Sequence, residues 1–178
     1  ILNGSSNVGF YFKNNVVETA AITGNSEGGL GSSSITLNTV GGAPTNLLGS
    51  GPGTILTGAC ATYTVTTKDL FSNVTTVASD TALTLSGGQA GLFYGTAGCG
   101  AGSVSTVTVS SGQSNALYYY KNTTVQNVTL LTNSSGWTAA SSTVTVNPSA
   151  PTILTLNPSV TLTAGACSPS AFTVNTTD

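Results

Sequence analysis

Apolar residues alternate with threonine and serine in short runs along most of this chain, the period of a strand that buries one face. Turn chemistry separates the runs, as in Asp69-Leu70-Phe71-Ser72-Asn73, Ser86-Gly87-Gly88, Ser110-Ser111-Gly112 and Asn133-Ser134-Ser135-Gly136. In the middle of the chain the pattern predicts strands at Thr54 to Leu56, Ala61 to Thr67, Thr81 to Ser86, Leu92 to Tyr94, Ser103 to Ser110, Asn115 to Lys121, Asn127 to Leu131 and Ser142 to Asn147. No window has the Ala, Leu and Glu content and the caps of a helix. Seven or eight short strands in about 105 residues make a two-sheet sandwich of immunoglobulin type the expected architecture. The fold class is therefore all-β.

The pattern also recurs. Ser6-Asn7-Val8-Gly9-Phe10-Tyr11-Phe12-Lys13-Asn14 returns as Ser114-Asn115-Ala116-Leu117-Tyr118-Tyr119-Tyr120-Lys121-Asn122, at an offset of 108. Gly58-Ala59-Cys60 returns as Gly165-Ala166-Cys167 at an offset of 107, each preceded by Ala-Pro-Thr, and Tyr63-Thr64-Val65 with Asp69 returns as Phe172-Thr173-Val174 with Asp178 at 109. A period of this size is one small β-domain and far longer than a helical solenoid repeat. The division expected is the C-terminal part of one repeat in 1–44, a complete repeat in 45–150 and the N-terminal part of the next in 151–178. The chain reads as a window on a longer tandem array. Between the copies, position 9 changes from Gly to Leu117, while Val8, Phe10 and Phe12 match Ala116, Tyr118 and Tyr120. The second set is expected to face the core. Prolines at Pro148 and Pro151 stiffen the short linker, so successive repeats should form a semi-rigid rod.

Composition sharpens this picture. Charged residues make up 4% of the chain and hydrophobic ones 39%, with 32 Thr, 23 Ser and 15 Asn supplying the polar surface. Disorder goes with low hydrophobicity and high net charge, so a core can form here. Three scattered basic residues and a net charge of −2 argue against nucleic acid, whose binding depends on Lys and Arg neutralising phosphates, and against a polybasic membrane surface as well. With so few charges, strand edges lose their usual gatekeepers and must be paired, covered or bundled.

Candidate chemistry is sparse. Cys60 and Cys99 are the only two cysteines within one repeat, and a disulfide between them is favoured over free thiols; the partner of Cys167 would lie near position 206, outside the window. There is no His and no Cys-x-x-Cys, so no metal set is expected. Asp69, recurring as Asp178, opens a turn that closes at Asn73, and an Asx turn is a better reading than a calcium ligand, because hard cations need several carboxylates. Hydroxyls abound without a base to activate them, so no catalysis, cofactor or small-molecule substrate is expected. Trp137 aligns with Leu30 and reads as bulk closing the sandwich.

Gly58-Ala59-Cys60, Tyr63-Thr64-Val65, Lys68-Asp69-Leu70-Phe71-Ser72-Asn73, Thr84-Leu85-Ser86 and Tyr119-Tyr120-Lys121-Asn122 resemble the bacterial immunoglobulin-like repeats of invasin- and intimin-like surface proteins. The resemblance implies secreted, tandem, non-catalytic modules of bacterial stalks, adhesins and fibres. The expected function is a stalk or fibre segment at the bacterial cell surface, whose partners are neighbouring repeats or other copies in a fibre. Two other classes compete: a ligand-binding module for glycan or a host protein, and a filament subunit that assembles by strand pairing.

Overall fold

The computed structural model describes residues 6–26, 28–157 and 160–177. Strands β1 (Thr19–Asn25) and β2 (Ser32–Asn38) form an antiparallel hairpin. Next come β3 (Asn46–Ser50), β4 (Thr54–Leu56), β5 (Cys60–Lys68), β6 (Thr81–Gly87), β7 (Leu92–Tyr94), β8 (Thr106–Val109), β9 (Asn115–Lys121), β10 (Gln126–Asn133) and β11 (Ala140–Asn147), which build a two-sheet sandwich. A second hairpin pairs β12 (Ile153–Asn157) with β13 (Thr173–Thr177). The sheets of the sandwich run β4-β11-β10-β6-β8 and β3-β5-β9-β7, antiparallel throughout except where β4 lies parallel to β11. Among the described residues no helix is long and apolar enough to cross a membrane.

Alternation explains the core. On β9, Ala116, Tyr118 and Tyr120 are buried and Leu117 is exposed; on β5, Tyr63, Val65 and Thr67 point the same way. From the opposite sheet Leu83, Leu85, Val128, Leu130, Val144 and Val146 meet them. Each such aliphatic side chain contributes about 1.5–3 kcal/mol by leaving water. Trp137 is half-buried and packs against the cluster of Leu47, Val65 and Leu83.

Three details depart from the sequence pattern. Strand β3 was not expected, because Asn46, Gly49 and Ser50 have low strand propensity; it forms because Leu47 drops into the core and the β5 edge supplies its hydrogen bonds. Strand β8 spans four residues and not the whole of Ser103 to Ser110. Residues 7–15 form no strand, and Val8 and Phe10 are each 68% exposed. Their equivalent β9 is held between β5 and β7, whereas among the described residues nothing flanks 7–15 in that way.

Both hairpins repeat registers found in the sandwich. Thr19 pairs with Asn38 as Asn127 pairs with Thr145, at offsets of 108 and 107, and the same cross-strand hydroxyl–carboxamide bond joins each pair with the partners exchanged, at 2.8 and 2.9 Å. Likewise Asn46 pairs with Lys68 as Ile153 pairs with Thr177, at offsets of 107 and 109. The Thr45 amide donates to the Lys68 carbonyl at 2.9 Å, and the Thr152 amide donates to the Thr177 carbonyl at the same distance. Gly58 and Gly165 both sit at positive φ, 74° and 83°.

Candidate functional site around the Asp69 turn

Strand β5 ends at Lys68, and the following aspartate caps its own turn. Asp69 Oδ1 accepts the backbone N–H groups of Phe71 and Asn73, each at 2.9 Å, while the Asp69 amide donates to the Asn73 carbonyl at 2.9 Å. Ser72 takes φ 68°, and Lys68 Nζ donates to the Ser72 carbonyl at 2.9 Å. This is an Asx turn, and Asp69 is 3% exposed.

The second carboxylate oxygen faces the preceding segment. Asp69 Oδ2 accepts the Gly42 amide at 2.9 Å, and the Gly42 carbonyl accepts the Thr75 hydroxyl at 2.6 Å. Asn73 Nδ2 donates to both carboxylate oxygens and, at 2.8 Å, to the Asn15 carbonyl; Asn73 Oδ1 accepts the Val17 amide at 3.3 Å. One carboxamide therefore reads a backbone carbonyl and the N–H two residues on, as a strand edge would. The Gly42 amide, then the Asn73 carboxamide, hold the Asp69 carboxyl below the usual carboxylate range. Because N–H donors already fill both oxygens, the turn is a backbone clamp. Asp178, the equivalent of Asp69, lies outside the described residues.

At the other end of β5, Cys60 is bonded to Cys99, with Cα atoms 5.8 Å apart and a sequence separation of 39. Cys60 opens β5 opposite Lys121 of β9, and Cys99 closes the 3₁₀ turn Ala97–Cys99 after β7, so the bond spans the end of one sheet across β9. Beneath it lies an aromatic cluster: the Tyr63 and Tyr118 rings stack at 5.6 Å, and Phe93 meets Tyr120 at 5.4 Å. Buried hydroxyls find partners, Tyr63 on the Pro52 carbonyl at 2.9 Å and Tyr120 on the Gly88 carbonyl at 2.7 Å. Burial, followed by the neighbouring Tyr118 and Tyr120, pushes the Tyr63 phenol up to about 12. Cys167 is exposed and unbonded.

Among the described residues no three His, Cys, Asp or Glu side chains come together. What sequence reasoning missed is the long-range half of the Asp69 turn. Its local half is written in the Asp-x-x-x-Asn spacing, but its grip on Gly42, Asn15 and Val17 has no short-range signal.

No protein-family model matches the chain, and no curated protein matches it. Among solved structures, similar folds occur in a glycosyl hydrolase family 2 member from Bacteroides cellulosilyticus, at 12% identity and TM-score 0.49, covering 71% of this chain and 17% of that one. A β-glycosidase from Bacteroides vulgatus matches at 9% identity and TM-score 0.49, covering 72% and 18%. The surface layer protein SbsC, domains 1–6, matches at 16% identity and TM-score 0.43, covering 80% and 18%. The chain thus spans under a fifth of each, and likeness at this level carries no functional argument.

Proposed function

We propose that this chain is a segment of a bacterial extracellular stalk or fibre, made of disulfide-stapled immunoglobulin-like repeats divided at 1–44, 45–150 and 151–178, with a mechanical and not a catalytic role. The observation that carries the reading is the shared register: Thr19↔Asn38 with Asn127↔Thr145, and Asn46↔Lys68 with Ile153↔Thr177. Equal spacing of a repeated sequence can arise by chance in a Thr- and Ser-rich chain, and equal cross-strand pairing in both hairpins supports the repeat beyond spacing alone.

Strand order supports the mechanical role. The chain enters the sandwich through β3 and β4 and leaves it through β11, and β4 and β11 are parallel neighbours, Thr54 beside Thr145 and Leu56 beside Asn147. The Thr145 amide donates to the Gly53 carbonyl at 2.9 Å and the Thr57 amide to the Asn147 carbonyl at 2.8 Å. Tension on the two ends pulls these strands in opposite directions along their length, so the bonds between them must shear together instead of opening one at a time. The disulfide suits an oxidising compartment outside the cytoplasm.

Joining a copy of residues 70–150 after Asp178 completes the repeat that begins at 151. In that extended chain the reading predicts a second folded sandwich in which Cys167 is bonded to the copied Cys99, and small-angle scattering from two units arranged end to end. Persistence of Cys167 as a free thiol, with an unfolded appended segment, would overturn it.

A further inference from the structure

The contact that Asn73 makes with the preceding segment has an equivalent surface at the far end of the sandwich. Residues Asn14, Asn15, Val16 and Val17 correspond, at the offset of 108, to Asn122, Thr123, Thr124 and Val125. The two loops share a conformation: Asn14 Oδ1 accepts the Val16 amide at 3.0 Å, and Asn122 Oδ1 accepts the Thr124 amide at 2.8 Å. At the first loop, the Asn15 carbonyl and Val17 amide are read by Asn73. At the second, Thr123 and Val125 are exposed, and among the described residues the Thr123 carbonyl and the Val125 amide meet no partner.

The second loop is held from within its own sandwich. Asn122 is buried, its Nδ2 donates to the Tyr120 hydroxyl at 2.8 Å, and its carbonyl accepts the Gly58 amide at 2.8 Å. Its backbone is thus fixed before any partner arrives, which lowers the entropic cost of docking.

We infer that the Asn122–Val125 loop is a docking site for an Asp-x-x-x-Asn turn carried by the unit that follows, whose asparagine carboxamide donates to the Thr123 carbonyl and accepts from the Val125 amide. The occupant is a turn of the Asp69–Asn73 type, and the site continues the interface that residues 15 and 17 already form with Asn73. Each repeat then carries a turn at one end and a receiving loop at the other, so the linker is braced by side chains and not only by its prolines. The inference rests on the tandem reading above.

Amide hydrogen exchange on the full chain, and on the chain extended by a copy of residues 70–150, tests it. Val17 is the internal standard, since its amide is already bonded to Asn73. Extension should slow exchange at Val125 by at least about tenfold, and Asn73→Ala in the appended copy should restore the original rate while Cys167 stays bonded. If Cys167 is bonded but Val125 exchanges as before, the docking site is refuted and the tandem reading stands. If Cys167 remains a free thiol, the tandem reading falls and the docking site with it.

Discussion

Asp69 and Gly42, 27 residues apart in sequence, are joined by a 2.9 Å hydrogen bond from the Gly42 amide to Asp69 Oδ2. The same carboxylate caps its own turn through Phe71 and Asn73, so one side chain fixes both a local reversal and the approach of the segment before it. An asparagine has one acceptor where the aspartate has two, so Asp69→Asn leaves N–H groups facing an amide. We expect the Tm to fall by several degrees, with Gly42 losing its amide protection, as read by calorimetry and hydrogen exchange.

The same carboxyl predicts an acid limb. Its folded pKa lies below the ordinary aspartate value of about 3.9, so the unfolded chain takes up its proton first as the pH drops. The stability it contributes is complete above about pH 4 and is lost as the pH falls through the lowered folded value. Thermal melts across this range should show a decline in the native chain that is shallower in Asp69→Asn.

At the alkaline side the tyrosines set the limit. Burial raises the phenols of Tyr118 and Tyr120 as well as that of Tyr63, which reaches about 12. Unfolded tyrosine ionises near pH 10, so the unfolded state loses protons that the folded state keeps, and stability falls as the pH rises from about 10 towards 12. Phenolate absorbance from these three should therefore appear only as the sandwich unfolds.

Gly91 leaves room for the Tyr120 hydroxyl. A Cβ at residue 91 would overlap that oxygen, which is itself tied to the Gly88 carbonyl. Gly91→Ala should cost about 1–3 kcal/mol of stability by overpacking. Gly53→Ala, where the added methyl meets nothing within 4 Å, should be close to neutral. Denaturant midpoints of the two variants decide the point.

Much of the sandwich was legible because alternation is a local property. The strands at Thr54–Leu56, Leu92–Tyr94 and Asn115–Lys121 follow directly from it, and the inward face of β9 from comparing Leu117 with Gly9. Strand β3 was hidden because its stability comes from β5, 14 or more residues later, and not from Asn46 or Gly49. Val8, Phe10 and Phe12 carry the same apolar code as Ala116, Tyr118 and Tyr120, yet they lie exposed. Alternation specifies which face seeks a core and cannot supply the neighbouring strands. The Asp69 turn divides in the same way: its reversal is encoded in five consecutive residues, its grip on residues 15, 17 and 42 in the topology.

Stretching single molecules of the chain between its ends tests the mechanical account most directly. The account predicts a distinct force peak as β4 shears from β11, and Thr57→Pro, which removes the donor to the Asn147 carbonyl, should lower that peak. It further predicts that the oxidised chain releases less length than the reduced one, because the stretch from Cys60 to Cys99, a sequence separation of 39 whose ends the bond holds 5.8 Å apart, stays locked, a difference of about 125–135 Å at roughly 3.3–3.6 Å per residue. Extension without a force peak, or with equal length released before and after reduction, would contradict it.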